Sequence, residues 1–399
     1  MTLYILHFLN DGFKSIYITL LPFVSKDLHL SFTQVGVLGA ASGVLLLALA
    51  VPFGIIISKV GGIKLLFLTL LFYSLCAFGI GFSYNFISLV LFFYLGAVAF
   101  APFHIAGNSI TARVSPKEKI GSIMGTFSVS GDLGRIALPT IALFIVTFIG
   151  WRNTYIYAAL FGILVLVILL WSIRNKKHIL QNIHSSDSEE NTKRWLKKML
   201  STMRKKQFIL IVLAGMLDGF GGSSILIYLP FLLLSKQIPA SLLALFMGGY
   251  FAGSLFGKKF LSKGTDTFGP SKIFILAELC MATLMILLTA THQSFFLFIL
   301  SFILGIFTRG TIPVIATLLS TVSHTDHYEK TYAISELFFG ISATLAPILL
   351  GRVADSSGIN LSFYVAAVFA LLAVIPIYLY TKTNKLSTFR ISENEQAIE

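Results

Sequence analysis

The chain has 399 residues, of which 56% are hydrophobic and 12% charged, and its mean hydropathy is +0.86. Polar residues are too few to cover a soluble globule of this size, and apolar runs recur along the whole chain, which predicts an integral membrane protein. The net charge of +13 does not indicate a nucleic-acid surface, because the basic residues lie in short connections between apolar runs.

A membrane-spanning helix needs about 20 apolar residues. On this criterion the chain is an all-α membrane protein with twelve transmembrane helices, called spans 1 to 12 below. The first run carries Asp11 and Lys14 and lacks a small-residue cleavage site, so we interpret it as a retained span and not as a signal peptide. In chain order the predicted spans cover 3–24, 34–57, 64–83, 86–112, 121–148, 153–173, 207–234, 241–261, 271–291, 294–321, 329–351 and 359–381.

The spans form two sets of six. We predict an N-terminal six-helix bundle at 1–173, a basic cytoplasmic linker at 174–206, a C-terminal six-helix bundle at 207–381 and a loose cytoplasmic tail at 382–399. The two halves repeat at an offset of about 208 residues, which indicates parallel, pseudo-symmetric bundles. The clearest matches are Leu9-Asn10-Asp11-Gly12-Phe13 with Met216-Leu217-Asp218-Gly219-Phe220, and Leu21-Pro22-Phe23 with Leu229-Pro230-Phe231.

The distribution of basic residues predicts that both termini are cytoplasmic. Lys14, Arg135 and Arg309 are assigned to spans, and all but four of the remaining Lys and Arg residues fall in the segments that would then face the cytoplasm. This asymmetry follows the positive-inside rule. The four predicted outer residues are Lys26, Arg152, Lys236 and Arg352.

Several charged residues lie within the predicted spans. Each costs roughly 2.5–3.5 kcal/mol at the bilayer centre, so each should face protein or water. They are Asp11, Lys14, Asp132, Arg135, Asp218, Glu278, Arg309 and Glu336.

His7, Asp11 and Lys14 follow an i, i+4, i+7 pattern and therefore share one face of span 1. A carboxylate in a low-dielectric cavity can cycle between protonated and ionised forms, so Asp11 and His7 are candidate proton-coupling residues. The alternative is that Asp11 pairs with Lys14 and only stabilises helix 1. Asn10 and Lys14 are candidate substrate contacts.

Asp132 and Arg135 have i, i+3 spacing on span 5 and can form an ion pair at the interface between the bundles. Arg135 could instead bind an anionic substrate. Asp218, the repeat partner of Asp11 and a further candidate proton-coupling residue, precedes Gly219, Gly221 and Gly222. These glycines allow a local unwinding of span 7 or a close substrate approach, although a plain packing role explains them equally well.

Arg309 on span 10 has no obvious local partner, so it either pairs with Glu336 on span 11 or binds an anionic group of the substrate. Glu336 is also a candidate proton-coupling residue. His104 and Asn108 share a face of span 4 and could hydrogen-bond a substrate. Glu278, near the cytoplasmic end of span 9, is assigned a structural role.

Twelve spans as six plus six, with cytoplasmic termini and a basic central loop, resemble the major facilitator superfamily. The signature of that family's loop 2–3 resembles the stretch Gly54 to Lys64, with Ser58 in place of the usual acidic residue. The resemblance assigns Gly54, Lys59, Gly61 and Lys64 to a conformational loop. Gly351-Arg352-Val353-Ala354-Asp355 has a similar composition but falls on the outer side, and we give it little weight. The resemblance also implies that spans 1, 4, 7 and 10 line a central path.

A closer resemblance is to the fosmidomycin-resistance type of efflux transporter. Its opening H-x2-N-D pattern matches His7-Phe8-Leu9-Asn10-Asp11. Part of a span-4 motif is kept at Phe103-His104, and a G-x-x-G-x-x-x-G-P motif in span 5 is kept in part from Gly131 to Pro139. This resemblance implies export.

The sequence holds no Walker loop, no H-E-x-x-H motif and no Cys/His spacing for a metal site. We therefore predict a secondary transporter and not an enzyme, with no cofactor or metal and with a proton gradient as its energy source. It would export a small organic solute by alternating access across the inner membrane, acting as a monomer in the bilayer and binding no nucleic acid. Three core cations hint at an anionic substrate. The alternatives are a proton-linked importer or exporter of a metabolite or carboxylate metal chelator, and a non-transporting membrane sensor.

Overall fold

The computed structural model describes residues 1–41, 43–44, 62–99, 103–104, 106–107, 110–111, 120–173, 205–322 and 328–396. Within these ranges every regular element is helical, as the sequence predicts. Eight helical stretches are long and apolar enough to cross a membrane, and one of them, 47 residues long, covers two predicted spans. The shorter apolar helices Phe32–Ala41 and Phe86–Val98 are described parts of spans 2 and 4.

In the first half, span 1 consists of two helices, Thr2–Thr19 and Leu21–Asp27, which meet at Leu20. Pro22 lies in the first turn of the second helix, where its missing N–H costs no hydrogen bond. Span 3 is Gly62–Gly81. Spans 5 and 6 form one run, Ile120–Ile173, broken at Gly150, whose φ of 76° is easily adopted only by glycine.

In the second half, span 7 has three parts, and its middle part is a π-helical turn that covers the predicted glycine cluster. Spans 8 and 11 continue past their predicted ends. The helices are Lys206–Asp218, Gly219–Ser223 (the π turn) and Ile225–Ser235 in span 7, Leu243–Phe268 in span 8, Pro270–Ala290 in span 9, Ser294–Thr321 in span 10, Tyr328–Ser357 in span 11 and Ile359–Gln396 in span 12.

The expected loose tail is wrong for most of its length, because the helix of span 12 continues to Gln396. The stretch 382–396 contains neither glycine nor proline, so no helix-breaking residue ends the helix at the membrane surface. Residues 174–204 of the predicted linker lie outside the described residues, and the division into two bundles stays a prediction.

Three buried tyrosines fix the position of span 1 against its neighbours. The Tyr17 hydroxyl donates to the carbonyl of Tyr73 on span 3 at 2.7 Å, and the Tyr155 hydroxyl on span 6 donates to the carbonyl of Tyr17 at 3.0 Å. Buried polar groups need such partners. The bonds therefore set the depth and rotation of span 1, and with them the direction in which its polar face points.

At the predicted outer end, span 2 packs against spans 7 and 11. The Tyr228 hydroxyl on span 7 lies 2.5 Å from the carbonyl of Pro347 and 3.2 Å from that of Phe32. The Asp355 carboxylate accepts from the backbone N–H groups of Phe32 and Thr33 at 2.7 and 2.8 Å and from the Thr33 hydroxyl at 2.6 Å. This carboxylate caps the first turn of span 2, so the stretch from Gly351 to Asp355, to which we gave little weight, joins the two halves at this end.

Candidate functional site

The polar face of span 1 is buried in the protein. The side chain of Asp11 is 1% exposed and that of His7 is 5% exposed. A buried carboxylate is costly unless it is paired and hydrogen-bonded. Because Asp11 lies on a predicted membrane span, neighbouring residues must supply those partners.

Asp11 has several such partners, which come from three spans. Arg135 Nη2 lies 2.6 Å from Asp11 Oδ2, and His104 Nε2 lies 3.1 Å from Oδ1. His7 Nε2 is 3.3 Å from Oδ2, and the side-chain amide of Asn10 donates to Oδ1 at 3.2 Å. Arg135 is thus the counter-ion of Asp11, a partner that the sequence analysis did not assign.

The hydrogen bond of His7 Nδ1 determines what His7 Nε2 presents to Asp11. His7 Nδ1 lies 2.7 Å from the carbonyl oxygen of Phe127, and since a carbonyl can only accept, Nδ1 carries the hydrogen. In the neutral ring, Nε2 then presents a lone pair to an oxygen of Asp11. A second proton, on either His7 or Asp11, converts this contact between two acceptors into a hydrogen bond. The ring is held in place by stacking on Phe127, with centroids 4.1 Å apart.

Two glycines allow span 5 to approach this cluster. A Cβ atom on Gly131 would lie 2.6 Å from both Asp11 Oδ2 and His7 Nε2, and a Cβ on Gly134 would overlap the backbone carbonyl of Phe8. The glycines at these two positions are therefore a steric requirement of the Asp11–Arg135 contact. Their spacing is the part of the predicted span-5 motif that this chain keeps.

An ion-pair chain continues from Arg135 to the second half of the molecule. Arg135 Nη1 lies 3.0 Å from Asp132 Oδ1, which confirms the i, i+3 pairing. Lys258 Nζ lies 2.5 Å from Asp132 Oδ1 and 2.7 Å from Oδ2. Lys258 lies within the predicted span 8 (241–261) but is missing from the charged residues that were assigned to spans. The adjacent pair Lys258-Lys259 within the predicted span 8 was the signal that could have identified it.

Lys14 lies in the field of both other predicted core charges, Arg309 and Glu336. Lys14 interacts with Asp11 and Glu336 of opposite charge and with Arg135 and Arg309 of like charge. Glu336 is exposed to the interior space and has Lys14 as its charged partner, not the predicted Arg309. Arg309 instead lies in the field of Arg135, Asp132 and Asp11.

Asp218 occupies a different environment from its repeat partner. The Thr311 hydroxyl on span 10 lies 3.2 Å from Asp218 Oδ2, and the Asp218 carboxyl faces that of Glu278 on span 9. Glu278 is fully buried. Its predicted structural role near the cytoplasmic end of span 9 did not include this contact with Asp218. Asp218 and Glu336 also line a cavity of about 270 Å³ between spans 7, 10 and 11.

Several residues of the predicted site lie outside the described residues or at the protein surface. Asn108, Gly54, Lys59 and Gly61 fall outside the described residues, and Lys64 is exposed at the start of span 3.

Donor atoms of His7, Asp11 and His104 lie within 4.8 Å of one another, a spacing that a metal ion could use. The guanidinium of Arg135 already binds that carboxylate, so we assign the cluster to an ion pair and not to a metal site.

A bundle of apolar helices with a buried chain of ion pairs at its centre defines a polytopic membrane transporter. A family model described as Major Facilitator Superfamily matches residues 3–237 and 211–397. The chain belongs to this superfamily. It is therefore a secondary transporter for a small molecule, embedded in a membrane, and not an enzyme.

The relatives and solved structures agree with this assignment. The chain is 22% identical over 369 residues to the multi-drug resistance efflux pump PmrA of Streptococcus pneumoniae, with 90% of each chain covered. It is 24% identical to the multidrug resistance protein MdtG of a Rahnella species, covering 66% of this chain and 63% of that one.

Solved structures share the fold. The nucleoside transporter NupG matches with a TM-score of 0.77 at 13% identity, covering 96% of this chain and 98% of the other. A bacterial homolog of the human lysosomal transporter Spinster, in an inward-facing and unoccupied conformation, matches with a TM-score of 0.77 at 18% identity over 96% of each chain. The resemblance to the fosmidomycin-resistance type stays a prediction.

Proposed function

We propose that this protein exports small organic molecules in exchange for protons, with Asp11 and His7 as the coupling site. The observation that carries the proposal is the 3.3 Å contact between His7 Nε2 and Asp11 Oδ2, which one bound proton makes a hydrogen bond. The drug-efflux relatives support the direction and the broad substrate class. We further propose that the protein acts as a monomer in the inner membrane, with both termini cytoplasmic and no cofactor.

The ion-pair chain supplies a physical route from proton to conformation. Without the extra proton, Asp11 is ionised and holds Arg135, which holds Asp132, which in turn holds Lys258 on span 8. A proton bound between His7 and Asp11 neutralises the carboxylate and weakens its hold on Arg135. Because Asp132–Lys258 joins span 5 to span 8, the proton biases the contact between the two halves.

The substrate would contact Lys14 and Arg309, two core cations that lie in each other's field and in the field of Asp11. Arg135 is occupied by two carboxylates, and Asn10 and His104 orient Asp11. Glu336 faces the same space. With cations and an acid present together, the site suits amphipathic organic molecules with a polar or anionic group.

The test is uptake into inside-out membrane vesicles with and without a pH gradient, using fluorescein, ethidium and rhodamine B as anionic, cationic and zwitterionic probes. We expect gradient-driven uptake of at least one probe, which corresponds to export. Asp11→Asn should abolish the effect of the gradient and leave downhill exchange. Asp27→Asn, on a carboxylate that is 48% exposed, is the matched control and should behave as the wild type.

Gradient-driven uptake that survives Asp11→Asn unchanged would refute the coupling role. Uptake confined to right-side-out vesicles would indicate an importer instead. Arg309→Ala should change the ratio of fluorescein to ethidium transport, and the exposed Lys272→Ala provides its control.

A further inference from the structure

Glu278 is a buried acid with no hydrogen-bond donor. Its side chain is completely inaccessible, and neither Oε1 nor Oε2 has a donor within reach among the described residues. The group that it faces is the carboxyl of Asp218, another acceptor when ionised. Two ionised carboxylates in contact would combine charge repulsion with unsatisfied buried oxygens. A proton on one of them removes the repulsion and gives one oxygen of the other a donor.

Among the residues that the structure describes, no compensating cation faces the two carboxyls. Thr311 on span 10 contributes a hydroxyl to Asp218. Tyr250 on span 8 also faces Asp218 electrostatically, and Glu336 faces it across the cavity. In the described part of the chain, no lysine, arginine or histidine contributes to the electrostatic environment of Asp218 or Glu278.

From this geometry we infer that Asp218 and Glu278 form a carboxyl–carboxylate pair that binds a single proton, a second proton site located in the C-terminal half. The shared proton forms the O–H···O bond between spans 9 and 7, and its loss leaves two carboxylates that repel each other. The inferred ligand is a proton, and the experiment below decides between it and a sodium ion held by the two carboxylates.

The backbone next to Asp218 is suited to respond to this charge. The residues that follow it form the π-helical turn Gly219–Ser223, an irregularity that often marks functional positions in helices. A Cβ on Gly222 would lie 3.5 Å from Asp218 Oδ1 and 3.2 Å from the Met281 sulfur. Asp218 also lines the cavity of about 270 Å³, so a proton can reach the pair from that space.

The test is infrared spectroscopy of the purified protein in lipid nanodiscs, which detects the carbonyl stretch of a protonated carboxylic acid. We expect such a band at pH 7. Glu278→Gln should remove it, because the amide donates permanently to an ionised Asp218 in place of the proton, and Asp218→Asn should remove the same band. The double variant should lose this same band and no other. Asp27→Asn is the control and should keep the band.

A band that persists in both single variants, or its disappearance when sodium chloride replaces choline chloride, would overturn the inference. Thr311→Val keeps both carboxyls and guards against loss of folding, since it should shift the band without removing it. The inference rests on the proposed function only for its role in coupling. A band with the expected variant pattern but without gradient-driven transport would refute the proposed function alone, and the reverse result would refute this pair alone.

Discussion

Asp11 and Asp218 occupy equivalent positions in the two repeats, yet their surroundings are opposite. Asp11 is surrounded by donors, among them Arg135, His104 and Asn10. Asp218 faces a second acid and a hydroxyl. The repeat has preserved the place of a carboxylate on the first helix of each half, while the neighbouring helices determine its chemistry. In the first half the carboxylate is an ionic partner, and in the second it shares a proton.

The largest expected effect is the difference in folding stability lost when Asp11 and Asp218 each lose a partner. Arg135→Met leaves Asp11 and Asp132 without their common guanidinium and should destabilise the fold by about 3–5 kcal/mol, as for other buried pairs that lose one member. Glu278→Gln should change the stability by less than about 1 kcal/mol, because the amide replaces the shared proton as donor. Unfolding in mixed micelles, followed by tryptophan fluorescence, measures both.

Adding Asp11→Asn to Arg135→Met provides the second half of this comparison. The double variant should recover part of the lost stability, because the carboxylate left without its cation is removed. Strictly additive losses would mean that the contact at 2.6 Å carries no coupling energy. Equal costs for Arg135→Met and Glu278→Gln would remove the distinction between the two sites.

The next effect concerns the link between the halves. Lys258→Met removes the cation that joins Asp132 to span 8, and Asp132 keeps Arg135 as its partner. We expect the halves to separate at the predicted cytoplasmic end. A part-buried pair of this kind can contribute about 1–2 kcal/mol, so the ratio of separated to closed molecules should rise about 5- to 30-fold. The neighbouring Lys259→Met, on an exposed lysine, serves as the control.

Spin labels at Lys64→Cys and Lys272→Cys, in a background without Cys76 and Cys280, report the distance between the halves. Both lysines are exposed at the starts of spans 3 and 9. A distance distribution that Lys258→Met leaves unaltered would show that Asp132–Lys258 does not hold the halves together. Unlike Asp11 and Asp218, the residues Asp132 and Lys258 are not repeat partners of each other. The loss of their contact should not alter the infrared band of Asp218 and Glu278.

A smaller effect is expected at the opposite end of the bundle. Asp355→Ala removes the carboxylate that caps span 2 from span 11 and should weaken this contact by about 1 kcal/mol, typical of a lost helix cap. Labels at Ile87→Cys and Gln293→Cys should then show a broader distance distribution. Ser356→Ala, one residue further along the same helix, provides the control, and identical broadening there would contradict a capping role.

The sequence predicted those features that a single helix determines. The approximate helix positions follow from apolar length, although spans 8, 11 and 12 continue past their predicted ends. The Asp132–Arg135 pair follows from i, i+3 spacing, and the position of Asp218 follows from the repeat. It did not predict that Arg135 binds Asp11 or that Glu278 faces Asp218. These contacts join different spans, and they depend on the depth and rotation of each helix in the bundle. Local periodicity limits which face is polar but does not determine which helix meets it.

The smallest expected effect is at Asp27 and Arg152, which supply an exposed reference for the buried sites. The Arg152 guanidinium donates to the Asp27 carboxylate at 2.5 Å, and the Trp151 indole donates at 3.1 Å. The hydrogen bond from Arg152 holds the pKa of Asp27 below its usual value, and burial acts in the opposite direction. A lowered pKa in the folded state means that the pair contributes stability above the pKa of the unfolded state and loses it as the pH falls through the folded-state pKa.

Because Asp27 is 48% exposed, its pair should contribute at most about 1 kcal/mol, and salt should screen it. Asp27→Asn should therefore lower the melting temperature slightly at pH 7, have no effect at a pH where Asp27 is protonated, and leave the pH dependence of transport unchanged. Melting curves from pH 3 to pH 8 at low and high salt measure this. A loss at pH 7 as large as that of Arg135→Met would show that burial does not distinguish the ion pairs of this protein, and the contrast between Asp11 and Asp218 would then need a cause other than their surroundings.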